Sequence, residues 1–105
     1  MGRGGKVHDL DCWPAPFEAV RLGDKTAEIR VDDRGFAVGD LMRLNKLRHG
    51  RVGAARCAET PPIDCVISHK LHGGQFGLQA GYCLLSFRPA GPAVTALIDR
   101  ELGRR

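Results

Sequence analysis

The chain has 105 residues, with 16 Lys/Arg against 12 Asp/Glu, a formal net charge of +4, and 43% hydrophobic residues. That length allows one core with roughly 60–70% of the unfolded surface buried, and excludes a two-domain enzyme. No apolar run reaches about 18 residues, which excludes a membrane-spanning helix. Gly (14) and Pro (6) are too frequent for a helical bundle, so one turn-rich domain over residues 1–105 is expected. The opening MGRGGKVHDL has no apolar secretory core, and Lys6 stands where a myristoylation signal needs Ser or Thr. A cytoplasmic domain without a membrane role is the expectation.

Val7 to Cys12 reads as a first strand, stopped by Trp13-Pro14-Ala15-Pro16 because proline removes ladder donors. Proline suits a helix's first turn, so Phe17 to Leu22 reads as a short helix with Phe17 and Val20 on one face and Gly23 closing it. Lys25 to Val31 is a strand whose period of two puts Ala27, Ile29 and Val31 on one face and Thr26, Glu28 and Arg30 on the other. Lys25, just after the Gly23-Asp24 turn, is expected to share one accessible site with Glu28 and Arg30, with Ala27, Ile29 and Val31 packed behind it. Asp32-Asp33-Arg34-Gly35 is a turn, and Gly39-Asp40 makes another before a third strand, Leu41 to Leu47.

Arg48 to Pro62 reads as a long exposed loop with a short strand around Arg51 to Ala55. Asp64 to Leu71 is the fourth strand, with Cys65, Ile67, His69 and Leu71 expected on one side. His72 to Gly77 is a Gly-rich turn. Its Gly74-Gln75-Phe76-Gly77 has the letters of a KH-domain clamp, but it joins strands and reads as a plain turn. Tyr82 to Arg88 is the last strand, with Cys83, Leu85 and Phe87 inward. Pro92 then opens an amphipathic segment whose stripe is Val94, Leu97, Ile98 and Leu102. The fold class is therefore α+β, mainly β: a small barrel or open barrel of five to six short strands with an early helix and a C-terminal helix.

Cys12, Cys57, Cys65 and Cys83 include no C-x-x-C pair and read as reduced structural thiols. A zinc set of Cys57, Cys65, His69 and His72 fits neither finger nor ribbon spacing, so no metal or other cofactor is expected. Charge is unevenly placed. Leu41 to Ala58 carries Arg43, Lys46, Arg48, Arg51 and Arg56 with no acid, whereas His8 to Asp40 holds eight of the twelve acids. A basic stretch of this kind attracts phosphate, the alternative being a solvated loop. In the strand beginning at Lys25, Glu28 can accept a proton or a base N–H while Arg30 clamps a phosphate. The plainer reading is an exposed ion pair. Trp13 either anchors the core beside Pro14, the preferred reading, or offers a base a stacking face. His8 and His69 are acid–base candidates, with a satisfied interior histidine preferred for His69.

The stretches His8-Asp9-Leu10-Asp11-Cys12-Trp13-Pro14, Gly23-x-Lys25-Thr26-x-Glu28-Ile29-Arg30, Asp32-Asp33-Arg34-Gly35-Phe36-x-Val38-Gly39-Asp40 and Gly77-Leu78-x-x-Gly81-Tyr82-x-Leu84-Leu85-Ser86-Phe87 resemble the DUF3850 family. That family is a branch of the ASCH superfamily. The resemblance spans about residues 7 to 88, leaving 89–105 as a helical appendage. It implies a PUA-like pseudo-barrel whose Gly-x-Lys-x-x-x-x-Arg stretch lines a cleft for RNA or a nucleotide. Some ASCH proteins are amidohydrolases of acetylated cytidine that use Lys, Thr and Glu together, and a ribonuclease role also occurs. Here Lys25 matches the lysine, but Glu28 stands where the threonine would be.

The leading expectation is a nucleic-acid-binding domain, RNA in the first place, using Lys25, Glu28, Arg30, Arg34 and Trp13, with Arg43, Lys46, Arg48 and Arg51 adding affinity. The alternative is a hydrolase of a modified nucleoside or of RNA, with Lys25, Glu28 and Arg30 catalytic. A third reading gives the terminal helix a protein partner or a second copy to dock on.

Overall fold

The computed structural model describes residues 5–49 and 53–103. In chain order the elements are β1 (Val7–Cys12), α1 (Pro14–Arg21), β2 (Ala27–Val31), β3 (Leu41–His49), β4 (Ala54–Arg56), β5 (Ile63–His72), β6 (Tyr82–Pro89) and α2 (Pro92–Glu101). All six strands join one mixed sheet in the order β1-β3-β5-β6-β2, with β4 pairing only β3. The β1–β3 pair is parallel, from Val7↔Leu41 to Cys12↔Lys46. A parallel pair needs a long crossover, and α1 and β2 lie within it.

The sheet does not close into a barrel. β1 and β2 stand at opposite ends of the five-strand path and share no ladder. In a flat sheet they would lie about 19 Å apart, four spacings of roughly 4.8 Å. Instead an Arg30 Nη2–H donates to the Asp11 carbonyl at 2.7 Å. The sheet therefore curls until its two edge strands face each other across an unpaired seam. Of the barrel or open barrel expected, the structure shows an open, six-stranded α+β sheet with two helices.

The inner face holds Leu10, Met42, Leu44, Cys65, Ile67, Cys83, Leu85 and Phe87, with Phe36 and Val20 packed among them. In β6 the alternation expected from sequence is observed, with Cys83, Leu85 and Phe87 buried. Pro lies in the first turn of α1, and the helix buries Phe17 and Val20. Gly23 at φ +85° turns the chain while the Asp24 and Lys25 amides both donate to the Ala19 carbonyl, which delivers Lys25 to the start of β2. Of the predicted α2 stripe, Ile98 is fully buried and Leu97 is exposed.

Two faces differ from expectation. In β5 the register slips between Ile67↔Phe87 and His69↔Ser86, so Ser68 is an extra residue. A one-residue bulge inverts every later side chain. His69 is therefore exposed, not interior, and Lys70 turns to the inner side. In β2 the whole strand is reversed. Glu28 and Arg30 pair with buried Leu85 and Cys83 and are themselves mostly covered, whereas Ile29 is 58% exposed and Val31 51%. The expected packing of Ala27, Ile29 and Val31 behind the site is corrected accordingly. Period alone separates two faces without saying which looks inward, and at the seam the inward position goes to a mutually neutralised Glu–Arg pair.

Candidate functional site

A groove of about 680 Å³ runs along the seam. Asp11 and Cys12 of β1, with Trp13 and Pro16 at the start of α1, form one wall. Lys25 and the strand Ala27–Val31 form the other, and Asp33, Arg34, Phe36, Tyr82 and Leu84 close the far end. The Phe87 amide donates to Thr26 O and the Asp32 amide to Gly81 O, which fixes the phase of the β2–β6 ladder. Backbone groups of Glu28 and Arg30 thus face β6, and those of Ala27, Ile29 and Val31 face the seam.

Glu28 is 12% exposed and its Oε2 accepts Arg30 Nε at 2.7 Å, with Arg30 Nη2 at 2.6 Å. The same Nη2 reaches Asp11 O, so one guanidinium orients the carboxylate and clasps the two edge strands. Among the described residues Glu28 Oε1 receives only the Cys12 thiol, at 3.9 Å. Burial, then the Glu28 charge, pushes that thiol up to about 11, so Cys12 stays protonated and is not an activated nucleophile. Burial likewise pushes Cys65 up to about 12. None of the four cysteines is in a disulfide.

The turn that carries Arg34 and Phe36 is held from below. Lys70 Nζ donates to Asp32 Oδ1 at 3.1 Å and to Phe36 O at 2.8 Å. Asp40, with 0% exposure, accepts from the amides of Gly5, Lys6 and Ala37, and His8 Nε2 meets its Oδ2 at 2.8 Å. Burial alone would raise the Asp40 carboxyl, but the His8 and amide hydrogen bonds outweigh it and hold it below its usual range. The His8 ring packs on Phe36 with centroids 4.6 Å apart, away from the groove wall. Sequence reading missed both supports. Asp40 read as a turn residue, and Lys70 was hidden by the bulge; the one available signal for Asp40 was an acid set directly before an apolar strand.

Lys25, Glu28, Arg30, Arg34 and Trp13 are thus brought together on one groove. Trp13 is 49% exposed, so the preferred reading of it as a core anchor is corrected to a half-exposed ring at the groove's edge. The basic stretch of β3 and β4 is placed differently. Arg43 is 4% exposed, bonded in a fork to Asp64 at 2.8 and 2.9 Å and to Asp99 of α2 at 2.6 Å, so it is a buried, paired cation and not part of an open basic face. The Asp64 bonds, against the opposing effect of burial, raise the pKa of its guanidinium. Lys46 pairs with Glu18 at 2.9 Å, Arg48 with Glu59 at 2.9 Å, and Arg56 with Asp11 at 2.6 Å and Asp9 at 3.2 Å. Arg51 lies outside the described residues. By contrast, no ion pair among the described residues involves Lys25. Thr26 is exposed and off the groove wall, so a Lys–Thr–Glu set is not assembled there. Among the described residues no three His, Cys, Asp or Glu side chains converge as metal ligands, and no helix is long and apolar enough to cross a membrane.

The groove, its edge strands and all but the last two residues of the sheet behind them lie in a segment, residues 7–87, that matches the model of a domain of unknown function, DUF3850. The chain belongs to the DUF3850 family. In this DUF3850 domain every groove residue falls inside the matched segment, whereas α2 follows it. No curated protein matches the chain significantly.

Proposed function

We propose that this DUF3850 domain is an ASCH-type, PUA-like module that binds unpaired nucleic acid, RNA first, by taking one or two nucleotides into the seam groove. The observation that carries this reading is the convergence of a half-exposed Trp13 ring, the Glu28 carboxylate and the cations Lys25, Arg30 and Arg34 on one groove of nucleotide size. An aromatic face stacks any base, a carboxylate accepts base N–H groups, and rim cations hold phosphate. The groove walls carry three cations (Lys25, Arg30, Arg34) against three acids (Asp11, Glu28, Asp33), and the β3 cations are spoken for. Base contacts therefore weigh more than phosphate contacts, and a long electrostatic footprint is not expected.

Trp13 is the single tryptophan, so its fluorescence reports on the groove directly. Titration with mixed-sequence single-stranded RNA should quench it saturably, and duplex RNA should not. With two or three phosphates held, log K should fall against log[salt] with a slope of only about −1.4 to −2.1. Trp13→Ala, followed by anisotropy of labelled RNA, should weaken binding about tenfold. Absence of quenching and of any anisotropy change at high protein concentration overturns the reading.

The hydrolase alternative uses the same groove, and one observation favours testing it: the Lys25 ammonium, outside any ion pair among the described residues, shares a wall with Glu28. Product from acetylated cytidine or RNA, detected by mass and abolished in Lys25→Ala, would establish it.

A further inference from the structure

We propose that the groove selects guanine, read through the Oε1 oxygen of Glu28; this rests on the nucleic-acid reading above and adds the base. The Glu28 carboxylate is held in place before any ligand arrives. Its Oε2 is engaged twice by Arg30, and Arg30 is itself fixed to the Asp11 carbonyl. Among the described residues Oε1 has only the Cys12 thiol at 3.9 Å, a long contact to a weak donor. Glu28 lines the groove with its side chain mostly covered, and its Oε1 keeps acceptor capacity beyond that one weak contact.

An ionised carboxylate accepts and never donates. On its Watson–Crick edge guanine places two N–H donors, N1 and N2, side by side. On that same edge adenine, cytosine and uracil each place a lone-pair acceptor beside their one donor group, and an approach from that edge would set the acceptor against the carboxylate's own lone pairs. The wrong base is therefore excluded by repulsion and by leaving buried acceptors unmatched, which discriminates more strongly than loss of one contact. Stacking on Trp13 is blind to base identity. The balance of charge on the walls keeps phosphate attraction from masking the preference.

The test compares binding of GMP, AMP, CMP, UMP and IMP through Trp13 quenching, in the wild-type chain and in Glu28→Gln. GMP should bind about tenfold tighter than AMP, CMP or UMP, with IMP, which keeps N1–H and lacks the 2-amino group, in between. Glu28→Gln should level the series, and Trp13→Ala, followed by calorimetry, should weaken all five alike. The wild-type comparison with IMP needs no variant, so it stands even if Glu28→Gln loosens the seam. Equal affinities in the wild type, or a guanine preference that survives Glu28→Gln, overturns the inference and leaves the nucleic-acid reading intact. Failure of all five nucleotides and of single-stranded RNA to bind overturns both.

Discussion

The two basic regions of the molecule carry similar residues and put them to opposite use. Along β3 each described cation is answered by an acid from elsewhere in the chain: Arg43 by Asp64 and Asp99, Lys46 by Glu18, Arg48 by Glu59. At the seam, Arg30 is tied to Glu28, Arg34 makes only a loose 3.8 Å pair with Asp33, and Lys25 enters no pair among the described residues. The denser cluster in sequence is therefore the more fully paired one, and the sparser keeps cations with loose or no ion pairs among the described residues. Charge counted along the chain locates cations; only the fold supplies their partners.

The largest effect that sharpens this contrast is expected at Arg43. Removing it strands Asp64, which is 7% exposed, and takes away the bond that ties Asp99 of α2 to β3. Breaking a buried pair by deleting one partner costs about 3–5 kcal/mol, because the remaining charge stays buried. Arg43→Met should lower unfolding free energy in urea by that amount. RNA affinity measured on the folded fraction should be unchanged, and an affinity loss at retained stability would mean that Arg43 belongs to the ligand site after all. Replacing Arg43 and Asp64 together by apolar residues should recover most of the loss.

Asp40 comes next. Its folded-state pKa lies below the ordinary carboxyl value, as burial is outweighed by the bonds from His8 and three amides. A depressed carboxyl stabilises the fold above its unfolded pKa, and that stability is lost as pH falls through the unfolded and then the folded value. Urea unfolding between pH 6 and pH 3 should show this loss. Asp40→Ala should cost about 3 kcal/mol at pH 6 and flatten the acid dependence; an acid limb as steep as that of the wild type would assign it to other carboxylates.

Much of the architecture was legible because it depends on local rules. The proline-opened helices, Gly23 at positive φ, and the β6 alternation follow from residue type and period. The gathering of Lys25, Glu28 and Arg30 on one site followed from Glu28 and Arg30 sharing strand parity, with Lys25 at the turn. What escaped depends on non-local facts. The Ser68 bulge that exposes His69 and turns Lys70 inward has no mark in β5's letters. The reversal of β2 depends on where the sheet's edges meet. Asp64 and Asp99 lie 21 and 56 residues from Arg43, beyond any window in which charge is read along a chain.

The smallest expected effect is the one that separates the two regions most directly. Arg48 and Glu59 are 52% and 70% exposed, so their pair is worth under about 1 kcal/mol and Arg48→Ala should leave the unfolding midpoint nearly unmoved. If the β3 cations are structural or solvated, Arg48→Ala should also leave the slope of log K against log[salt] for single-stranded RNA unchanged. Lys25→Ala should reduce that slope by about 0.7, the share of one phosphate contact on a single strand. Both variants remove one positive charge, so a general loss of net charge affects them equally and cancels in the comparison. A drop in slope for Arg48→Ala as large as for Lys25→Ala would mean that the ligand's backbone leaves the groove and runs along β3. The ion pair with Glu59 would then be one that RNA displaces, because a phosphate can compete for an arginine held by so exposed a carboxylate.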